Sequence, residues 1–183
     1  HAELPEQSLK AMVPMSLRQA GDVDSNNASI AISADLATDI SDPSKRIRAI
    51  QNSVRAGRAY FDGMSRAETE LYFMLLQTPT AILAPLGLLP RFPAYNTVIS
   101  NVPGIRETMY WNGARLDGSY PVSIVAQSIA MNITLVTYDQ NVDFGIVACR
   151  RSVPQTQRMI DYMEEALCEL EEAAGLVNRP TKR

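Results

Sequence analysis

The sequence predicts a mixed α/β domain in which helices are layered on a β-sheet. Three signals predict this fold class: segments with apolar residues at alternate positions, helix-start patterns, and short polar turns between apolar runs. With 183 residues and a hydrophobic fraction of 46%, the chain can bury a core, and disorder is not expected. The predicted order is two strands, two helices, about five strands and a final helix, as in layered α/β domains.

The first two predicted elements are strands. Lys10–Leu17 is a short apolar run with a proline bend, which is typical of a buried strand. Ala28–Ala37 has apolar residues at every second position, which predicts a half-buried strand. The residues of its apolar face are Ile30, Ile32, Ala34 and Leu36.

Two helices are predicted next. Asp42 and Pro43 form a helix start, because Asp caps the free N–H groups and Pro suits the first helical position. Ser65 and Glu68 have the spacing of a capping box, which begins the second helix. The stretch Leu71–Pro90 carries no charged residue and has the length of a membrane span. Because prolines and a glycine interrupt it, we expect one or two broken helices, packed in the core or lying against lipid.

The second half is predicted to be rich in β-strands. Asn112 and Gly113 are typical of the tight turn of a hairpin, and Asp139–Asn141 is predicted to join the strands of another. The predicted strands are Tyr95–Asn101, Thr108–Trp111, Ala114–Leu116, Val122–Gln127, Ala130–Tyr138 and Val142–Arg150.

The last predicted element is a helix that begins at a capping box formed by Ser152 and Gln155 and ends at Gly175. The basic residues 179–183 are expected to form a frayed tail, so a single domain is predicted over residues 1–178. The apolar face of the helix consists of Met159, Met163, Ala166, Leu167 and Leu170.

Charge and motif content argue against several functions. A net charge of −3 with scattered arginines disfavours nucleic-acid binding. The sequence has no P-loop, no G-x-G-x-x-G, no G-x-S-x-G, and no cysteine–histidine cluster with metal-ligand spacing. Cys149 and Cys168 are interpreted as buried free thiols. His1 is the only histidine, so these residues offer no obvious general base for neutral pH.

Six short segments, taken in order, resemble blocks of the bacterial wax ester synthase/diacylglycerol acyltransferase family. Two of them lie in strand-like runs, NTVISNVPGIR from Asn96 and NVDFGIVACRR from Asn141. One such block would be weak evidence, whereas six in the family's order, between about Leu9 and Leu170, form a specific pattern. The six segments are Ala11–Arg18, Tyr95–Gly104, Leu116–Ser123, Met131–Thr134, Asp143–Gly145 and Cys149–Pro154.

The resemblance is to the C-terminal half of that family, and it implies both a fold and an activity. The implied fold is the C-terminal half of a chloramphenicol-acetyltransferase-like enzyme, in which two α/β domains enclose a tunnel. The implied reaction moves a long acyl chain from acyl-CoA to diacylglycerol or a fatty alcohol, without a cofactor or a metal. The family's H-H-x-x-x-D-G motif is absent from this chain. The implied partner is therefore an N-terminal half that carries this motif.

The resemblance also implies a location and leaves two alternatives open. A cytoplasmic enzyme is expected, peripherally associated with a membrane or a lipid-droplet surface. The first alternative is a condensation-type domain of the same superfamily, which would transfer acyl groups between carrier proteins. The second is a non-catalytic half that binds lipid or forms a heterodimer without turnover.

One set of candidate site residues lies at the end of a predicted strand. Ser100 and Asn101, followed by the turn Pro103–Gly104, stand where a polar residue of the superfamily's C-terminal domain points into the tunnel. The resemblance therefore implies that they place the thioester or its developing negative charge. Turn formation alone also explains an Asn before Val-Pro-Gly.

Two further sets of residues are candidates. Arg18, Arg150 and Arg151 are possible CoA contacts, because the guanidinium group suits phosphate. The other set is interpreted as a structural motif, in which the acidic residue pairs with a cation or the backbone and the glycine allows a close approach. Its residues are Asp143, Phe144 and Gly145.

Overall fold

The centre of the computed structural model is a five-stranded mixed sheet, and the structure describes residues 6–16, 29–88, 94–126 and 128–176. Two further short strands form a separate hairpin, and three helices complete the described part. The strands are β1 (Lys10–Ser16), β2 (Ser29–Asp35), β3 (Thr97–Val102), β4 (Tyr110–Trp111), β5 (Ala114–Arg115), β6 (Met131–Tyr138) and β7 (Asn141–Ala148). The helices are α1 (Pro43–Ala59), α2 (Arg66–Leu83) and α3 (Arg158–Ala173).

The strands of the large sheet lie in the order β2-β1-β3-β6-β7. The two outer pairs are antiparallel, whereas β1–β3 and β3–β6 are parallel. Ser100 of β3 therefore lies beside Thr134 of β6, which lies beside Gly145 of β7. This arrangement confirms the predicted class, a mixed sheet layered with helices.

The two faces of the sheet carry different partners. Because side chains alternate along a strand, Ile32, Ile99 and Phe144 point to one side, which we call the helix face. A Cβ added to Gly57 of α1 would lie 3.3 Å from Ile32, so α1 packs tightly on this face. The other side, the crossing face, is crossed by residues 119–126, which we call the crossing segment.

Fully buried apolar residues lie mainly where β1 and β2 meet α1. On the crossing face, Tyr138 is buried and serves as an anchor for the β4–β5 hairpin. Its hydroxyl accepts a hydrogen bond from the Met109 N–H at 2.9 Å and donates one to the Leu116 carbonyl at 2.8 Å. The fully buried apolar residues among those described are Ala11, Ile30, Ile32, Ala34, Ala37, Val98 and Tyr138.

The local signals for two helix starts and one tight turn are confirmed. Asp42 Oδ1 accepts a hydrogen bond from the Lys45 N–H at 2.8 Å, and Pro43 begins α1. The capping box of Ser65 and Glu68 is complete at the start of α2, and its hydrogen bonds lower the pKa of the Glu68 carboxyl. The Asn112-Gly113 hairpin has both residues at positive φ, 48° and 83°, as a tight two-residue turn requires.

The predicted start of the last helix is wrong. The helix α3 begins at Arg158, with Gln157 at the cap position and no side-chain capping bond. The Ser152 and Val153 N–H groups both bond to the Cys149 carbonyl, which holds the chain in a turn after β7. The end of the helix agrees with the prediction, because Gly175 lies just beyond it with φ of 73°.

The uncharged stretch after Leu71 forms one continuous helix for most of its length, not a helix broken at its first proline. Pro79 lies inside α2, which continues to Leu83 before a turn at residues 84–87. Thr78 Oγ1 donates a hydrogen bond to the Met74 carbonyl at 3.3 Å, one turn earlier. Residues 89–93 lie outside the described part.

The strand predicted at Val122–Gln127 does not join either sheet. The crossing segment instead lies over β6 and β7, where Pro121 faces Gly145 and Ser123 faces Thr134. Its residues still alternate between partly buried and exposed, as the pattern predicts. The alternation is therefore real, but in the described part of the chain this run pairs with no strand.

Substitution of Gly145 by Ala is expected to destabilise the fold by about 1–3 kcal/mol, because an overpacked contact must be relieved by moving backbone. The added Cβ would lie 1.7 Å from the Pro121 carbonyl oxygen. Gly118→Ala is the matched control, since its Cβ would meet only the exposed Tyr120 ring, with 3.0 Å to the hydroxyl oxygen. Urea unfolding of both variants measures the difference, and equal midpoints would contradict the contact.

Candidate functional site

Ser100 and Asn101 lie near the carboxyl end of β3, on opposite faces of the sheet. Ser100 points to the crossing face and is half-buried, whereas Asn101 points to the helix face and is exposed. Within the described residues, neither the Ser100 hydroxyl nor the Asn101 amide has a hydrogen-bond partner. Both groups are therefore available to a ligand or a partner that these residues do not supply.

The turn at Pro103–Gly104 is held against the end of β6. The Gly104 N–H donates a hydrogen bond to Thr137 Oγ1 at 2.9 Å, and the Asp139 N–H donates one to the Ile105 carbonyl at 3.0 Å. A Cβ on Gly104 would lie 1.8 Å from the Thr137 carbonyl oxygen, so only glycine fits this approach. The end of β3, with Asn101, is consequently fixed in position.

In the Asp143–Gly145 segment, Gly145 and Phe144 lie in the rows of Ser100 and Asn101, two strands away, and Asp143 lies in the next row with Val102. Asp143 Oδ2 accepts a hydrogen bond from the Ser119 N–H at 2.7 Å, and Gly145 leaves room for the Pro121 carbonyl. These two residues therefore hold the crossing segment on the sheet. Phe144 points to the helix face, where it lines an apolar cleft of about 690 Å³ beneath α3.

A buried polar network on β6 completes this attachment. Its residues Asn132 and Thr134 belong to the resembling segment Met131–Thr134, to which the sequence alone assigned no role. Thr134 Oγ1 lies 2.6 Å from Ser123 Oγ and donates to Asn132 Oδ1 at 3.0 Å. Asn132 Nδ2 donates to the Ile124 carbonyl at 3.0 Å. Because these buried groups satisfy one another, they fix the position of the crossing segment.

The arginines proposed as CoA contacts lie away from Ser100 and Asn101. Arg150 and Arg151 are exposed and follow β7, whose last residue shares a row with Thr97 at the start of β3. Ser100 and Asn101 lie three and four residues further along β3 than that row, which is roughly 10–13 Å at about 3.3 Å per residue. Any phosphate contact by these arginines would therefore occur at the opposite end of the sheet. Arg18 lies outside the described residues.

Cys149 lies beside these arginines and has an unusual environment. Hydrogen bonds from the Ser152 and Arg151 backbone N–H groups and the Ser152 hydroxyl, with the charge of Arg151, lower the pKa of its thiol. Cys149 and Cys168 are both free thiols, as predicted, but they are half-buried and not buried. Cys149 also lines a cleft of about 940 Å³ on the helix face.

The described part of the chain offers neither a metal centre nor a membrane-spanning helix. No group of three or more acidic, cysteine or histidine side chains in residues 6–16, 29–88, 94–126 and 128–176 is arranged to hold a metal ion. None of the helices formed by these residues is both long enough and apolar enough to span a bilayer.

The chain is similar in sequence to a known protein family. The WS/DGAT C-terminal domain model matches residues 25–171. A putative diacylglycerol O-acyltransferase of Mycobacterium tuberculosis is 44% identical over 174 residues, covering 94% of this chain and 39% of that protein. The O-acyltransferase WSD of Acinetobacter baylyi is 40% identical over 167 residues, covering 91% of this chain and 36% of that protein.

The fold itself is shared with a solved structure. The wax ester synthase/diacylglycerol acyltransferase from Marinobacter aquaeolei VT8 matches with a TM-score of 0.81 at 40% identity, over 94% of this chain and 39% of that one. This likeness confirms the expected chloramphenicol-acetyltransferase-like fold. The chain spans about two fifths of the length of the relatives it matches. From the matched family model, the sequence identity and the shared fold, the chain belongs to the WS/DGAT C-terminal domain family.

Proposed function

We propose that this chain is the C-terminal half of an O-acyltransferase that moves a long acyl chain from acyl-CoA to diacylglycerol or a fatty alcohol. The observation that carries the proposal is the match, over 94% of the chain, to a structure named as a wax ester synthase/diacylglycerol acyltransferase. The product would be a triacylglycerol or a wax ester. Acyl-CoA would be a substrate, and no cofactor would be needed.

The general base would come from the rest of a longer protein. His1 is the only histidine here, and the relatives are more than twice the length of this chain. A histidine on that other part would take the proton of the acceptor hydroxyl, whose oxygen then attacks the thioester carbonyl. The tetrahedral oxyanion collapses, the C–S bond breaks, and the CoA thiolate leaves and is protonated.

This half would contribute hydrogen-bond donors at the end of β3. Ligands of α/β proteins commonly bind beyond the carboxyl ends of parallel strands, which is where Asn101 lies between β1 and β6. Its exposed amide has two N–H donors with no partner among the described residues. A donor aimed at the developing oxyanion would lower the barrier in proportion to the negative charge that forms.

The proposed activity is tested by reconstitution. This chain is co-expressed with an N-terminal part that carries the H-H-x-x-x-D-G motif, and release of CoA thiol is followed with palmitoyl-CoA and either dioleoylglycerol or hexadecanol. Turnover is expected only when both parts are present. Stable binding of the two parts without turnover would replace the proposal with the non-catalytic heterodimerisation alternative.

Asn101→Ala in the reconstituted enzyme is expected to lower kcat by about 10²-fold, the usual loss when one oxyanion donor is removed. The KM for acyl-CoA should change little, because the bond forms mainly in the transition state. Ser100→Ala is expected to lower kcat by less, since the Ser100 hydroxyl is half-buried on the other face of the sheet. Asn141→Ala, another exposed asparagine at a strand end, is the control. An unchanged kcat for Asn101→Ala would remove Asn101 from the site.

The proposal includes contact with a lipid surface through the outer side of α2. One side of the helix is packed, with the Tyr72 ring 5.0 Å from Tyr60 and 5.8 Å from Phe61. From Leu71 onwards the opposite side carries mainly apolar residues at helical spacing, with Thr78 among them and no charge. A largely apolar outer face suits an enzyme whose acceptor lies in lipid, at a membrane or a lipid-droplet surface. These residues and their exposed fractions are Leu71 (60%), Met74 (68%), Leu75 (62%) and Ile82 (58%).

Replacing Met74 and Leu75 together by serine is expected to lower binding to phosphatidylcholine vesicles that contain diacylglycerol by about tenfold or more, since each change removes apolar area from the contact. The double change Ile160→Ser and Leu167→Ser is the control, because it removes similarly exposed apolar side chains from α3. Vesicle flotation measures the bound fraction. Equal losses in the two double variants would show that α2 has no special role.

A further inference from the structure

The crossing segment carries apolar side chains on the side that faces away from the sheet. Its side chains alternate strictly between partly buried and exposed from residue 119 to residue 126. The inward positions are Ser119, Pro121, Ser123 and Val125, so two of the four are polar, whereas Val122 is 89% exposed and Ile124 is 83% exposed. A strand with one solvent face normally has the opposite pattern, with apolar residues inwards and polar residues outwards. Its outer side therefore has the composition of a buried surface.

The segment is held firmly in this orientation. Its inner side is tied to the sheet by the Asp143 carboxylate, by the contact of Pro121 with Gly145, and by the hydroxyl of Thr134. Rotation of the segment to bury its apolar side chains would break all three contacts and leave the buried Thr134 hydroxyl with fewer partners. The outward direction of Val122 and Ile124 is thus built into the fold.

The backbone of the segment is also unpaired. In the part of the chain that the structure describes, the N–H groups of six of its residues have no hydrogen-bond acceptor. Backbone donors that become buried in a finished protein are almost always paired. The residues whose N–H groups lack an acceptor are Tyr120, Val122, Ser123, Ile124, Val125 and Ala126.

We propose that the crossing segment is a docking strand that pairs with a strand from the part of the protein beyond these 183 residues. That part would accept and donate the free backbone hydrogen bonds along one edge and bury the outward apolar side chains. The length of the relatives supports this occupant, since this chain covers only 36–39% of them. The inference rests on the proposed function only in taking that remaining part to be the histidine-bearing half.

Lipid and a second copy fit the segment less well as occupants. Unpaired N–H and C=O groups are costly in hydrocarbon, so a lipid surface would leave the backbone unsatisfied. In each relative, the remaining length is part of the same polypeptide as the matching region. A second copy seated on the crossing segment would force that remaining length to pack on another surface.

Hydrogen exchange at the backbone amides of residues 122–125 tests the proposal. We compare this chain alone with the same chain bound to the histidine-bearing part. Because successive N–H groups of a strand point to opposite edges, alternate amides should slow, either Val122 and Ile124 or Ser123 and Val125. Slowing on the order of 100-fold is expected for amides that open only when the parts separate. Exchange that stays equally fast in the bound form would overturn the proposal.

A pair of variants separates the side-chain contribution from general effects on stability. The double change Val122→Thr and Ile124→Thr keeps the β-branched shape and the backbone but adds hydroxyl groups to the outer side, so it should weaken association about tenfold or more. Val142→Thr, at another exposed valine on an edge strand, should leave association unchanged. Equal affinities for the double variant and the unaltered chain would also overturn the docking strand.

The outcomes distinguish this inference from the proposed function. Turnover by the reconstituted enzyme with rapid exchange at residues 122–125 would keep the function and refute the docking strand. Slow alternate amides without any acyl transfer would keep the docking strand and refute the function. Slow exchange in this chain alone, appearing with self-association as its concentration rises, would show that the occupant is a second copy and refute the proposed one.

Discussion

The contact between Gly145 and the Pro121 carbonyl is the constraint on which this side of the molecule depends. A side chain on residue 145 would place its Cβ 1.7 Å from the Pro121 oxygen, so the crossing segment reaches the sheet only because this residue is glycine. Once residue 121 is fixed, its neighbours at 119 and 123 also face the sheet and meet Asp143 and Thr134. The apolar residues between them must then face outwards.

The elements that the sequence predicted well depend on residues only a few positions apart. The capping box of Ser65 and Glu68 and the tight turn at Asn112-Gly113 are decided by local hydrogen bonds and by the backbone freedom of single residues. The Ser152 capping box failed because a competing local acceptor, the Cys149 carbonyl at the end of β7, holds the turn instead. The pairing of the Val122–Gln127 run was not predictable in the same way, because it depends on Gly145 and Thr134, which follow later in the chain.

The candidate site shows the same limit of local reasoning. Ser100 and Asn101 are adjacent in sequence, but the period of two along β3 sends them to opposite faces. Arg150 and Arg151 are near Asp143 in sequence, yet the antiparallel course of β7 takes them to the opposite end of the sheet. Only the register of five strands shows which of these side chains can meet one ligand. The resemblance to a family identified the candidate residues, and the strand register determines which of them lie close together.

Two exposed apolar surfaces distinguish this chain from a self-contained domain, and they differ in the state of their backbone. In α2, the backbone groups between the caps can pair inside the helix, apart from the Leu75 carbonyl, whose donor would be residue 79, a proline. Its outer face would therefore leave few polar backbone groups without a partner in lipid. The crossing segment has no such internal pairing, so burial of Val122 and Ile124 must come with a partner that also bonds to the backbone. A helix face and an unpaired strand therefore require different occupants. Under the proposed function, a lipid surface would suit the first, and a histidine-bearing part would suit the second.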